Sequence, residues 1–213
     1  MSPVSNHPFV REESKKRLGK AVQAVESRSC AEIVIAVQPR SASWAGVDGA
    51  VGLAVAYAAL LYALFAPQEF GLLWIALMIP AGFGAGYALS RAVPGLRLGL
   101  AGQTRVDTAV LHGARARFTE LRVSATRERS GILVYVSLAE RKAVVIPDVG
   151  VLARVPEDEW TKAVASIQDT IASNGVKEPG LDALCKAVEA LGDVLEKPMP
   201  VRDDDINELE DVA

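Results

Sequence analysis

Two apolar runs, Val47–Ala66 and Phe70–Leu89, dominate the hydrophobic pattern of the chain, with Pro67-Gln68-Glu69 between them. From Ser41 to Ser90 there is no lysine, arginine or histidine, and the only acids are Asp48 and Glu69. A helix of about 20 residues rises roughly 30 Å, the hydrocarbon thickness of a bilayer. Neither run has the polar face that a long helix in a soluble core normally shows. The pattern predicts a transmembrane helical hairpin over residues 44–90, with spans at about 47–66 and 70–89.

The flanks alternate on shorter periods. Val10, Leu18, Ala21, Val22 and Val25 share a helical face over 9–27, and Glu32–Val37 is a short β-branched run that reads as a buried strand. After Val93-Pro94-Gly95, expected to end the second span, Val106, Val110, Ala114, Phe118 and Leu121 recur at helical spacing over 104–123. Gly131–Leu138 and Arg141–Pro147 read as two strands of an antiparallel hairpin, and Val149–Leu152 as a loop or short strand. Pro156 opens a helix with acids in its first turn and a stripe of Trp160, Val164, Ile167 and Ile171, ending at Asn174-Gly175. Gly180 precedes a last helix with Leu181, Leu184, Val188, Leu191 and Leu195 inward. Residues 201–213 form an acidic tail. The predicted order is α/β: one discontinuous domain, 9–40 and 104–200, with the membrane hairpin inserted after its first strand.

Composition changes this picture little. Outside the hairpin window lie all but two of the 49 charged residues, 23 basic and 26 acidic, and net charge is −3. Nothing in that balance points to nucleic acid. Cys30, Cys185, His7 and His112 have no metal-type spacing, so the thiols are expected to be inert. Residues 1–40 lack the apolar core of a secretory signal.

Charge predicts sidedness. Seven basic residues lie between Arg11 and Arg40; Arg91, Arg97, Arg105, Arg115, Arg117, Arg122, Arg127 and Arg129 follow the hairpin; the 67–69 loop has none. The positive-inside rule then predicts a two-pass protein of the inner (cytoplasmic) membrane with both termini cytoplasmic. The eight arginines are expected to face anionic lipid or a partner. Gly82 and Gly86 form a GxxxG for helix contact, with Ala54 and Ala58 as the facing row; the contact lies within the hairpin or between two copies of the chain.

Thr126-Arg-Glu-Arg-Ser-Gly-Ile-Leu-Val-Tyr-Val-Ser-Leu-Ala-Glu-Arg141, Val144-Val-Ile-Pro-Asp-Val-Gly150 and Val155-Pro-Glu-Asp-Glu-Trp160 together resemble the TPM domain family. Ala31–Ala36 resembles its first strand and Asp203–Asp211 its closing segment. The likeness is strongest to bacterial membrane proteins whose TPM domain is interrupted by such a hairpin. It implies an α/β/α sandwich with a small mixed sheet. Relatives act in photosystem repair or modulate membrane proteins, and some bind calcium or show weak acid phosphatase activity. Those relatives are mostly extracytoplasmic, whereas charge here predicts the cytoplasm.

Candidate chemistry is sparse. Asp148 at a strand end, with Asp203, Asp204 and Asp205 of the tail, offers oxygen ligands for Ca²⁺ or Mg²⁺; the alternative is a solvated tail without a cofactor. The P-loop, Cys-x5-Arg and Asp-x-Asp signatures of phosphate chemistry are missing, as is a Ser-His-Asp set. The expected function is a non-catalytic interaction, assembly or regulatory module for another membrane protein. A weak metal-dependent acid phosphatase, with Arg127 and Arg129 as phosphate-binding cations, is the alternative.

Overall fold

The computed structural model describes residues 7–201, 209, 211 and 212. The chain is mostly helical with one small three-stranded mixed sheet and two long apolar helices. It divides into two compact units: residues 1–41 with 109–213, and residues 42–108.

In the first unit, α1 (Glu12–Glu26) leads into β1 (Glu32–Gln38). β2 (Gly131–Ser137) and β3 (Lys142–Pro147) follow some ninety residues later. β2 is central. It pairs in parallel with β1 from Glu32↔Gly131 to Gln38↔Ser137, and antiparallel with β3 from Ile132↔Pro147 to Ser137↔Lys142. Every residue of β2 is buried, as a strand covered on both faces requires. Alternation sorts its side chains. Ile33 and Ile35, Ile132, Val134 and Val136, and Ala143 and Val145 share a core with α1, α7 (Glu157–Asn174) and α8 (Glu178–Leu195). Full burial of each such Ile, Leu or Val contributes about 1.5–3 kcal/mol. Tyr135 points to the opposite face, where α5 (Gln103–Glu120) approaches so closely that a Cβ on Gly113 would sit 2.7 Å from its hydroxyl.

The second unit holds α2 (Ala45–Phe65), α3 (Leu72–Ala92) and α4 (Pro94–Ala101). Both long helices have 21 residues and are long and apolar enough to cross a membrane. Leu53, Tyr57, Leu64, Leu73, Trp74 and Leu77 point outward, an apolar surface that soluble monomers rarely expose. The helices meet through small residues. A Cβ on Gly86 would lie 2.8 Å from the Val51 carbonyl oxygen and Val55 Cγ2, and one on Gly82 3.4 Å from Ala56 Cα.

Several local expectations are corrected. The helix that carries the second apolar run extends from Leu72 to Ala92, beyond the expected 70–89 at its C-terminal end. Val93-Pro94-Gly95 ends α3 but also starts α4: proline at a first helical position loses no hydrogen bond. Val149–Leu152 is a single helical turn, α6, because Asp148 caps it through a 2.7 Å bond from Val149 N–H. α8 begins before Gly180, at Glu178. The small row of α2 facing α3 is Gly52, Ala56 and Ala59, while Ala54 and Ala58 are exposed. The end of the expected acidic tail joins the sheet: Val212 bridges Ile35 in parallel, and Ile35 N–H donates to the Asp211 carbonyl at 2.9 Å. That bridge covers the free edge of β1.

Candidate functional site

Polar side chains gather at the two ends of the sheet. At one end β3 runs into Asp148, whose backbone N–H donates to the Gly131 carbonyl at 2.8 Å. Its carboxylate is buried, at 4 % exposure. Oδ1 accepts from Val149 N–H at 2.7 Å and from Arg129 Nη2 at 3.1 Å. Arg129 Nε lies 2.8 Å from Oδ2, but off the direction of a hydrogen bond. Arg129 adopts φ 56°, a left-handed conformation that costs a non-glycine residue about 1–2 kcal/mol. Gly150 closes the corner: a Cβ there would collide with the Glu128 carbonyl oxygen and lie 2.6 Å from that of Arg129. Arg154 pairs with Glu128 at 2.6 Å beside it.

At the other end, where β1 and β2 both finish, a network missed in the sequence joins Ser41, Tyr135, Ser137 and Glu140. Glu140 accepts from Ser137 Oγ and, at 3.1 Å, from Ser41 N–H. Ser41 Oγ donates to Ser137 Oγ at 2.8 Å and lies 3.0 Å from the Tyr135 hydroxyl. Burial pushes the Tyr135 phenol up from its usual range, and its bond to Ser41 opposes that. Glu140 reaches the network because Arg141, at φ 53°, turns the β2–β3 connection tightly. A single acid in a turn gives no sequence signal; only the register brings Ser41 to it.

A third arrangement belongs to the unit 42–108. Asp48, 3 % exposed, accepts from Ser90 Oγ at 2.7 Å, and Arg97 Nη1 stands 3.7 Å from its other oxygen. This joins the first turn of α2, the last turn of α3 and α4 at one end of the hairpin. At the other end Gln68 donates to the Tyr62 hydroxyl at 3.1 Å, and Tyr62 packs 5.9 Å from Phe70.

The eight arginines expected to face lipid or a partner divide between the units. Arg91, Arg97 and Arg105 belong to 42–108, and Arg115, Arg117, Arg122, Arg127 and Arg129 to the other. Arg91 lies over the Tyr87 ring at 5.8 Å. Arg97 and Arg129 direct their charge to Asp48 and Asp148. Arg117 pairs with Glu120 at 3.0 Å and, with the Gln38 amide oxygen turned toward it, with Gln38 at 3.1 Å. Arg105, Arg115, Arg122 and Arg127 are exposed. Gly82 and Gly86 lie in the contact between α2 and α3.

Asp203, Asp204 and Asp205 lie outside the described residues. Among the described residues no group of three or more His, Cys, Asp or Glu side chains is placed to hold a metal. Asp148 alone falls short of the several oxygen ligands a hard cation takes. Cys30 and Cys185 are free, half-buried thiols, and burial pushes the Cys185 thiol up.

No family model matches the chain. No curated protein matches it either. Among solved structures, it is similar to the NMR structure of BA42 protein from the psychrophilic bacterium Bizionia argentinensis. The match covers 100 % of both chains at 18 % identity, with a TM-score of 0.54. At that identity the likeness is one of fold.

Proposed function

We propose that the chain is a TPM-like domain of α/β/α layering, held on the cytoplasmic face of the inner membrane by its two-pass hairpin. It acts there as a non-catalytic interaction, assembly or regulatory module for another membrane protein. The observation that carries this reading is the register of β1 with β2. Residues 32–38 and 131–137 share one ladder although the hairpin lies between them in sequence. A backbone-paired sheet cannot straddle a bilayer, so a hairpin that inserts there returns the chain to the side it left. The arginine-rich flanks, set against a 67–69 loop without Lys or Arg, favour the cytoplasm for that side.

Two further observations support the family and the role. The three segments that resemble the TPM domain fall on β2 and its flanking turns, on β3 with the Asp148 cap, and on the start of α7. The buried carboxylates of Asp148 and Glu140, at opposite ends of the sheet, are engaged by neighbours that fix the fold. In-membrane photo-crosslinking followed by affinity purification tests the reading. A membrane protein captured with the intact chain, and lost when the hairpin is scrambled, is the expected result; a chain captured alone contradicts it.

The hydrolase reading draws on one observation, the nearness of Arg129 to a carboxylate oxygen of Asp148 that lacks a well-directed hydrogen bond. Phosphate release from a generic ester, abolished both by Asp148→Asn and by chelation of Ca²⁺ or Mg²⁺, would replace the module with an enzyme.

A further inference from the structure

Within the unit 42–108, α2, α4 and the start of α5 enclose a groove of about 540 Å³, a size typical of small-molecule sites. Trp44, Val47, Val51 and Ala54 from one side of α2, Leu100 of α4 and Arg105 of α5 are in its lining. The ten residue steps from Trp44 to Ala54 rise roughly 15 Å, about half of a 30 Å hydrocarbon core. The groove is therefore as long as one leaflet is deep. Among the described residues Arg105 is the one charged side chain in its lining. Asp48, the acid of the same helix, is engaged elsewhere by Ser90 and Arg97.

An occupant that matches this lining is largely apolar and offers one anionic group to Arg105. We infer that it holds one anionic phospholipid, with an acyl chain along α2 and the phosphate on Arg105. This rests on the membrane reading of the hairpin and adds a defined lipid site to it. A guanidinium matches phosphate oxygens in pairs, and an indole suits the headgroup level, so Arg105 takes the phosphate and Trp44, just before α2, reports on the headgroup region. A zwitterionic headgroup carries phosphate too, but brings its own cation beside Arg105. Selection by net charge follows, on the order of fivefold for one basic residue at a membrane surface.

The test uses the full chain in phosphatidylcholine nanodiscs, with Trp74→Phe and Trp160→Phe so that Trp44 is the remaining indole. Brominated phosphatidylglycerol or brominated phosphatidylcholine is then titrated in as a minor component. The expected result is half-maximal quenching of Trp44 at about fivefold less brominated phosphatidylglycerol. Arg105→Gln removes the difference, and Ala54→Leu, which fills the groove, brings quenching by phosphatidylglycerol down to the level of phosphatidylcholine. Equal quenching by the two lipids in the unsubstituted groove, or a preference that survives Arg105→Gln, overturns the lipid site. Sodium carbonate extraction separates the two failures. A chain that resists extraction yet shows no lipid preference loses only the groove, whereas a chain released by carbonate loses the membrane reading and the groove together.

Discussion

Among the described residues three arginines, Arg122, Arg129 and Arg141, sit at positive φ, where glycine would be favoured. Arg122 follows the end of α5 and Arg141 shapes the β2–β3 turn, so both backbones are held by their surroundings at a cost of about 1 kcal/mol. Arg129 differs, because its guanidinium partners the buried Asp148. Arg141→Gly is expected to raise unfolding free energy by up to about 1 kcal/mol, the relieved strain being partly offset by the freedom glycine loses on folding. Arg129→Gly is expected to lower it by about 1–3 kcal/mol, since a buried carboxylate then loses a charged partner. Denaturant unfolding of the two variants side by side measures both signs. His7 offers a pH test. Its Nδ1 accepts from Phe9 N–H at 3.3 Å, and burial, with Arg11 nearby, pulls its pKa below 6.5. Above pH 6.5 the ring is neutral in both states; as pH falls through that value the unfolded chain takes up the proton first. Melting temperature should therefore fall between pH 7 and pH 5, less steeply in His7→Gln.

The elements were legible in proportion to their own periodicity. β1, β2 and β3 stood out because short β-branched runs were bounded by turn residues, and the residue stripes of α7 and α8 reappear in the core. The misread pieces are those fixed by a neighbour. α6 exists because Asp148 caps it, and Val212 becomes part of the sheet because β1 leaves an edge. α2 is apolar on all sides, so its sequence holds two small-residue rows about half a turn apart. The packed row is Gly52, Ala56 and Ala59, because Gly52 lies under Phe83, where a Cβ would come within 2.9 Å of the ring. The polar network around Glu140 was invisible for a related reason: Ser41 and Ser137 are 96 residues apart and meet only through strand register. Close packing of the hairpin has a direct consequence. Gly86→Leu must separate α3 from α2, whereas Gly84→Leu, with nothing within 4 Å, should be tolerated. Thermal unfolding in detergent should show the first variant destabilised by about 1–3 kcal/mol and the second nearly unchanged.

For the molecule as a whole, the decisive relation is between a sheet and an insertion. The parallel pairing of β1 with β2 joins segments that precede and follow the hairpin in sequence, and the outward apolar side chains of α2 and α3 leave that hairpin suited to lipid. An inserted hairpin then has its 67–69 loop on one side of the bilayer and both flanks on the other. The expected sidedness rests on arginine distribution, which sequence displays fully; the identity of a proposed partner depends on surfaces that carry no such signature. Single-cysteine accessibility tests the account most directly, in a background with Cys30 and Cys185 replaced by serine. A membrane-impermeant maleimide applied to intact spheroplasts should label Gln68→Cys, and should label Arg115→Cys and Lys177→Cys only after permeabilisation. Labelling of Arg115→Cys or Lys177→Cys from outside, or protection of Gln68→Cys, would contradict it.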